Sequence, residues 1–564
     1  MIRYTEVDGV PTLIAPTPGP LRAGLMFRVG RADETLPRAG ITHLLAHLAL
    51  APPGRAGCHD DGTTSPVRTS FHSQGPDQDV AAFLTGVCAA LRDLPTRRLE
   101  TEKEILRTEY GSRPAHPAGS LALWRHGARD HGLAAYPEWG LSMITADDLR
   151  AWAARYFTRD NAVLWIGGRD VPAGLTLDLP GGERRPVPAA SSALPVTPAY
   201  FSDGAHAVAL DAVVRRRTAA AVFTGVLERE LFRGLRQEGD YASAAAADYE
   251  PRGDGYAVIT ASADALPEKQ DAMLGGFVDI LAALRVGRIR PADVDAVVAE
   301  RTHALTDAEG SAARLPSVAF SVLTGEPRPS AEELTAELGQ VTIADVHEVA
   351  VEALDAALLM VPDGRHADWA GFTEAPTGSG EAMTGRTHRC LDGVDVQLVA
   401  GPEGVGLIGA HQRESVRFAE CVALLAWPDG RRLLIGADAV SVTVEPTLYA
   451  GAAAIPSAID AAVPAHLRIE MPAREPWAIP RPDPKRHRGT AGPRAGSRLR
   501  VWKDAGVTRL ALLLALSAAV TALLLPNAVA DSGNWVVALV ALVVSGVLAR
   551  ALIRRIRLVR RLLQ

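Results

Sequence analysis

Two stretches about 195 residues apart share one design. "ITADDLRAWAARYFTRDNAVLWIGG", residues 144–168, and "VTIADVHEVAVEALDAALLMVPDG", residues 341–364, each carry a threonine followed three positions later by an aspartate. Thr145/Asp148 and Thr342/Asp345 have the spacing of a capping box, which satisfies backbone N–H groups at a helix start. In both, an amphipathic helix and a short apolar strand follow. Upstream, "LRDLPTRRLETEKEILRTEY" and "LRVGRIRPADVDAVVAERTH" also run in parallel, each a turn and then a helix. The chain is therefore expected to hold two copies of one α+β unit, residues 1–170 and 190–368. The joint between them is the Pro/Ala/Ser-rich "ERRPVPAASSALPVTP".

The remainder of the 564 residues changes character twice. Residues 369–384 read as a linker, and 386–470 as a small β-rich module of short apolar strands with "WPDGRR" as a hairpin turn. That module weakly resembles small pleckstrin-homology-like domains. A basic linker, 471–505, leads into two uncharged runs within residues 507–553, Leu510–Ala530 and Trp535–Ala549. Each approaches the roughly 20 residues that cross a bilayer, so a transmembrane helical hairpin is expected. Basic flanks on both sides, including the tail 554–564, place the large N-terminal portion on the cytoplasmic face by the positive-inside rule. The first residues show no basic-then-apolar pattern, so no signal peptide is expected. A net charge of −6 offers no electrostatic reason to expect nucleic acid as a partner. Four scattered cysteines, with no CxxC, suggest neither a disulfide framework nor a thiolate zinc site, and suit a reducing compartment.

The chemistry-bearing stretch is "GITHLLAHLAL", residues 40–50. His43 and His47 stand four apart and so share one helix face, where both can reach a single ion. A strand, a turn, a second strand and "GRADE" precede this helix, and "DDGTTSPVRTSFHSQG" downstream reads as a Thr/Ser-rich edge strand. Next, "LETEKEILRTEYG" carries Glu102 and Glu109, two helical turns apart on one face. His59 and His72 fall on loop or strand positions and read as solvated residues.

Over about residues 1–365 these features resemble the insulinase/pitrilysin family of inverted zincins, whose helix has the pattern G-x-x-H-x-x-E-H. The matching positions are Gly40, His43 and His47, with Glu102 and Glu109 matching the family's E-x6-E helix. The resemblance implies zinc held by His43, His47 and Glu109, with Glu102 orienting a ligand. It also implies paired α+β repeats forming half of a clamshell, which closes on a second subunit around a peptide or small unfolded protein. In the second copy, "LERELFRGLRQEGDYAS" is similar to the family's substrate-binding segment; Arg236 and Tyr241 are the nearest matches, with spacing two residues short. That copy lacks a histidine pair and carries Arg301 near the position of Glu109.

One position departs from the pattern. In active relatives the glutamate between the histidines is the general base, taking a proton from the attacking water and returning it to the leaving amine. Here that residue is Ala46, whose methyl group can do neither. Losing a general base costs roughly 10²- to 10⁴-fold in rate. The edge strand also has "DGTT" where active members carry Asn-Ala. Three readings follow: a membrane-anchored pseudopeptidase that binds peptides or serves an active partner, a slow zinc peptidase, or a structural scaffold whose histidines are core residues.

Overall fold

The computed structural model describes residues 1–50, 59–112, 117–203, 207–264, 266–307, 309–410 and 412–482. They form two units, 1–375 and the residues from Pro376 onward.

In the first unit, strands β1 (Arg3–Val7), β2 (Val10–Ala15), β3 (Leu21–Phe27), β4 (His59–Thr64), β5 (Thr69–Gly75) and β6 (Ala162–Gly167) form one sheet in the order β1-β2-β6-β3-β5-β4. Asp8 and Gly9, both at positive φ, make the tight turn between β1 and β2, as Asp-Gly pairs do in hairpins. The second sheet uses β7 (Ala199–Asp203), β8 (Ala207–Arg215), β9 (Ala244–Pro251), β10 (Tyr256–Asp264), β11 (Leu358–Pro362) and β12 (Thr373–Glu374), in the order β12-β7-β11-β8-β10-β9. Five strands correspond one to one. In each sheet a parallel pair, β2 with β6 and β7 with β11, is followed by an antiparallel neighbour, β3 beside β6 and β8 beside β11.

The helices correspond too. The first copy has α1 (Ile41–Leu50), α2 (Asp77–Arg92), α3 (Leu99–Ser112), α4 (Pro117–His126) and α5 (Ala146–Tyr156). The second has α6 (Thr218–Leu231), α7 (Gln270–Arg285), α8 (Pro291–Thr306), α9 (Leu315–Thr324) and α10 (Ile343–Asp355). Both expected capping boxes form: Thr145 Oγ1 accepts from the Asp148 N–H and Thr342 Oγ1 from the Asp345 N–H, each at 3.2 Å.

Alternation along the strands gives each sheet two apolar faces. On the first sheet, Leu25, Phe27, Leu164 and Ile166 pack under α1, α2 and α5. Met26 and Val163 point the other way and meet Leu315, Val318, Ala319 and Phe320 of α9, a helix of the second copy. The second sheet is covered reciprocally. Leu210, Ala212, Leu359 and Val361 join the core built with α6, α7 and α10. Phe201, Ala209, Leu358 and Met360 meet Leu121 and Trp124 of α4, from the first copy. The Trp124 and Phe201 rings stack with centroids 4.7 Å apart. Beside them the buried Arg125 pairs with Asp211 and donates to the Asp211 and Ala356 carbonyls, both at 2.9 Å.

In the second unit, β13 (Arg386–Arg389), β14 (Val396–Ala400), β15 (Gly404–Gly409) and β16 (Gln412–Arg417) form one sheet in that order. The other has β17 (Cys421–Ala426), β18 (Arg432–Gly436), β19 (Ser441–Val444) and β20 (Arg468–Glu470), ordered β19-β18-β17-β20. Leu398, Leu424, Leu434 and Val442 lie at their shared core. Trp427–Arg431 closes the hairpin expected at "WPDGRR".

Two stretches read as linkers are partly built in. Thr373 and Glu374 pair with β7 as an edge strand. Arg474, in the basic stretch, bonds Asp429 at 2.7 Å and Glu445 at 2.8 and 2.9 Å. Among the described residues no helix is long and apolar enough to cross a membrane. The two C-terminal apolar runs lie outside the described residues.

The helix exchange makes a direct prediction. Trp124→Ala should cost about 3–5 kcal/mol, as large aromatic truncations in cores do. In hydrogen exchange, amides of β7, β8 and β11 should lose protection together with α4; loss confined to α4 contradicts the exchange.

Candidate metal centre

Helix α1 starts where a buried carboxylate meets its free N–H groups. Glu34 accepts from the Gly40 and Thr42 backbone N–H groups, both at 2.8 Å, which places negative charge at the positive end of the helix. Burial pushes the Glu34 carboxyl up to about 7, against these hydrogen bonds. Gly40 has φ +97°, and a Cβ there would lie 2.8 Å from the Cβ of Glu138. Only glycine takes that conformation and that approach without strain. In front of the helix, Asp33 is paired with the buried Arg28 and accepts from the Gly30 N–H at 2.8 Å.

One turn into α1, His43 and His47 lie edge to face with ring centroids 4.8 Å apart. Each Nδ1 faces a carboxylate: His43 with Glu138 at 2.9 Å, His47 with Glu102 at 3.3 Å. A carboxylate only accepts, so each Nδ1 carries a proton, and in the neutral ring Nε2 then presents its lone pair. Both Nε2 atoms turn toward Glu109 on α3, at 3.9 Å from His43 and 3.8 Å from His47. The supporting carboxylates are shared with guanidinium groups, Glu102 with Arg98 at 2.7 Å and Glu138 with Arg31 at 3.3 Å.

This donor set suits zinc. Two imidazole nitrogens and a carboxylate oxygen are the ligands of an open catalytic-type site. One donor atom from each of the three residues lies within 4.8 Å of the others. The nitrogen–oxygen separations are somewhat wider than the roughly 3.3 Å between ligands of tetrahedral zinc. Histidines oriented through the far nitrogen by carboxylates are the usual support of such a site.

The residue between the histidines does not supply a base. Ala46 is 2% exposed and belongs to the core beneath the helix. The two acids that precede α1 are engaged elsewhere, Asp33 with Arg28 and Glu34 with the helix start. His72 faces Asp61 across the β4–β5 pair at 3.8 Å, and His59 is exposed at the start of β4. Arg236 is exposed with its guanidinium 5.2 Å from the Phe232 ring, and Tyr241 packs against the second copy's core. Sequence spacing brought out His43, His47, Glu102 and Glu109; it did not bring out Glu138. That glutamate sits in the loop "YPEWG", far along the chain from α1 and at no helical spacing from any motif.

No protein-family model matches the sequence, and no curated protein matches it. Solved structures do. A protease from Helicobacter pylori aligns with TM-score 0.54 at 15% identity, covering 64% of this chain and 99% of that one. The peptidase M16 inactive domain from Pseudomonas fluorescens aligns with TM-score 0.54 at 13% identity, over 65% and 99% of the two chains. The fold is that of the M16 peptidases. Complex III2 from Candida albicans contains a similar chain, with TM-score 0.53, 15% identity and 64% and 96% covered. The insulinase-like architecture expected from the first copy is therefore present, and the chain is metallopeptidase-like in fold.

Two measurements probe the centre. Glu138→Ala should weaken zinc binding about 10- to 100-fold, the usual cost of losing an orienting partner, measured by competition with a chromophoric chelator. Glu34 has a folded-state value raised from 4.5 to about 7, so its contribution to stability is lost as pH rises through that window. Glu34→Gln should flatten the thermal stability profile between those values; an unchanged slope contradicts this account of the helix start.

Proposed function

We propose that this chain is a zinc-binding M16-fold pseudopeptidase, which holds peptides or small unfolded proteins or serves as the non-catalytic partner of an active subunit. The observation that carries the reading is the contrast within one helix face. His43 and His47 keep a third ligand and both orienting carboxylates, while the position of the proton-transfer group is a buried methyl. A site under no demand would be expected to lose Glu102 and Glu138 first, because buried acids are costly unless they do something.

In this reading His43, His47 and Glu109 hold zinc, and Glu102 and Glu138 keep the two Nδ1 protons in place. Zinc held there supplies Lewis acidity toward a peptide carbonyl. No side chain of the centre takes and returns the proton that peptide cleavage requires. Two repeats make half of a clamshell, so a second half, identical or related, completes the chamber. Arg236 and Tyr241 remain candidates for peptide contact from the second copy. The apolar hairpin within 507–553 anchors the chain in a membrane, with the N-terminal portion on the cytoplasmic side.

The test uses the full chain purified in detergent. Metal analysis should find about one zinc per chain, and His43→Ala should abolish it. The wild type should leave an unfolded peptide uncut, and Ala46→Glu should gain chelator-sensitive cleavage. Zinc-dependent cleavage by the wild type itself would replace this reading with that of a slow peptidase; absence of zinc would leave a structural scaffold.

A further inference from the structure

The duplication places a second set of elements where the first copy keeps its metal ligands. In α3, Glu109 is the eleventh residue; in α8 the eleventh is Arg301. A carboxylate in one copy is thus a guanidinium in the other. Around Arg301 lies a cavity of about 680 Å³, walled by α6, α8, the edge strand β9 and the segment from Glu326 to Leu338. That volume falls within the range of small-molecule sites.

Of the three guanidinium groups around the cavity, two are paired with carboxylates. Arg216 is paired with Glu326 and donates to Ser321 Oγ at 3.0 Å. Arg217 is paired with Glu348 at 2.7 Å and Glu352 at 2.6 Å. Glu337 accepts from the Thr218 hydroxyl. Arg301, the third, donates to the Ala221 carbonyl at 2.7 Å, and among the described residues no carboxylate lies within ion-pair distance of it. Burial without such a partner holds its pKa below the ordinary arginine range. A guanidinium presents five N–H groups in a planar fork that fits a carboxylate. The rest of the wall is largely apolar, with Ala304, Leu305, Leu334, Leu338 and Pro329.

We propose that this cavity binds a small organic acid, a carboxylate on an apolar body, with the carboxylate on Arg301 and the body against the leucine wall. The site is separate from the histidine pair and does not depend on zinc. A fatty acid and an apolar peptide carboxyl terminus both present this chemistry.

Calorimetric titration of the full chain separates the possibilities. The probes are octanoate against octanol, and N-acetyl-leucyl-phenylalanine against its C-terminal amide. At least one acid should bind at a single site, with its neutral counterpart at least about tenfold weaker, the scale of one hydrogen bond to a charged group. The acid that binds identifies the source. Arg301→Gln should remove the preference for the acid, Arg301→Lys should keep part of it, and a chelator should change nothing. The proposal is overturned if neither acid binds saturably, if acid and neutral probe bind alike, or if Arg301→Gln with wild-type melting temperature keeps full affinity.

Discussion

Neither large sheet can bury itself within its own repeat. A mixed sheet with apolar residues on both faces must be covered on both, and each copy's helices α1, α2 and α5, or α6, α7 and α10, cover only one. The second cover is borrowed, α9 lying on the first sheet and α4 on the second. This reciprocity holds the two copies at one fixed relation. It also sets α1 against a sheet whose far side is already packed, so the face of α1 that carries the histidines is the one left for chemistry.

On that face the decisive cost is electrostatic. Glu102 is 3% exposed, and a carboxylate so placed must be compensated. An arginine and an imidazole N–H share the task at each supporting glutamate. The result is a pair of rings whose tautomer and direction are set before any ion arrives. In the second copy the helix position that corresponds to Glu109 carries Arg301 instead, so the same scaffold places a carboxylate in one repeat and a guanidinium in the other.

Much of this was legible in the chain itself. The i, i+4 histidines and the two glutamates seven apart announce their shared faces, and the Thr/Asp capping boxes mark both repeats. Three features were not. Glu138 reaches His43 through a loop, and loops carry no period. The exchange of α4 and α9 cannot be seen because an amphipathic helix shows that it needs an apolar surface but not whose. Strands β13, β16 and β20 of the second unit escaped notice for one reason: each lies at a sheet edge, where "RTHR", "QRESVR" and "RIE" are polar enough to discourage further pairing. The segment 369–384 misled in the same way, since Thr373 and Glu374 pair through backbone alone.

The borrowed helices have a consequence for how such a chain could be divided. The Pro/Ala/Ser-rich joint between the copies looks like a convenient place to cut, and most of its residues are accessible. Expressing either side alone would strip one sheet of its lid and leave the donated helix with nothing to cover. Each fragment would be an adhesive, inclined to fetch the missing helix from any chain that offers it. A nick at the joint is another matter: both pieces would stay clasped, because each already holds part of the other.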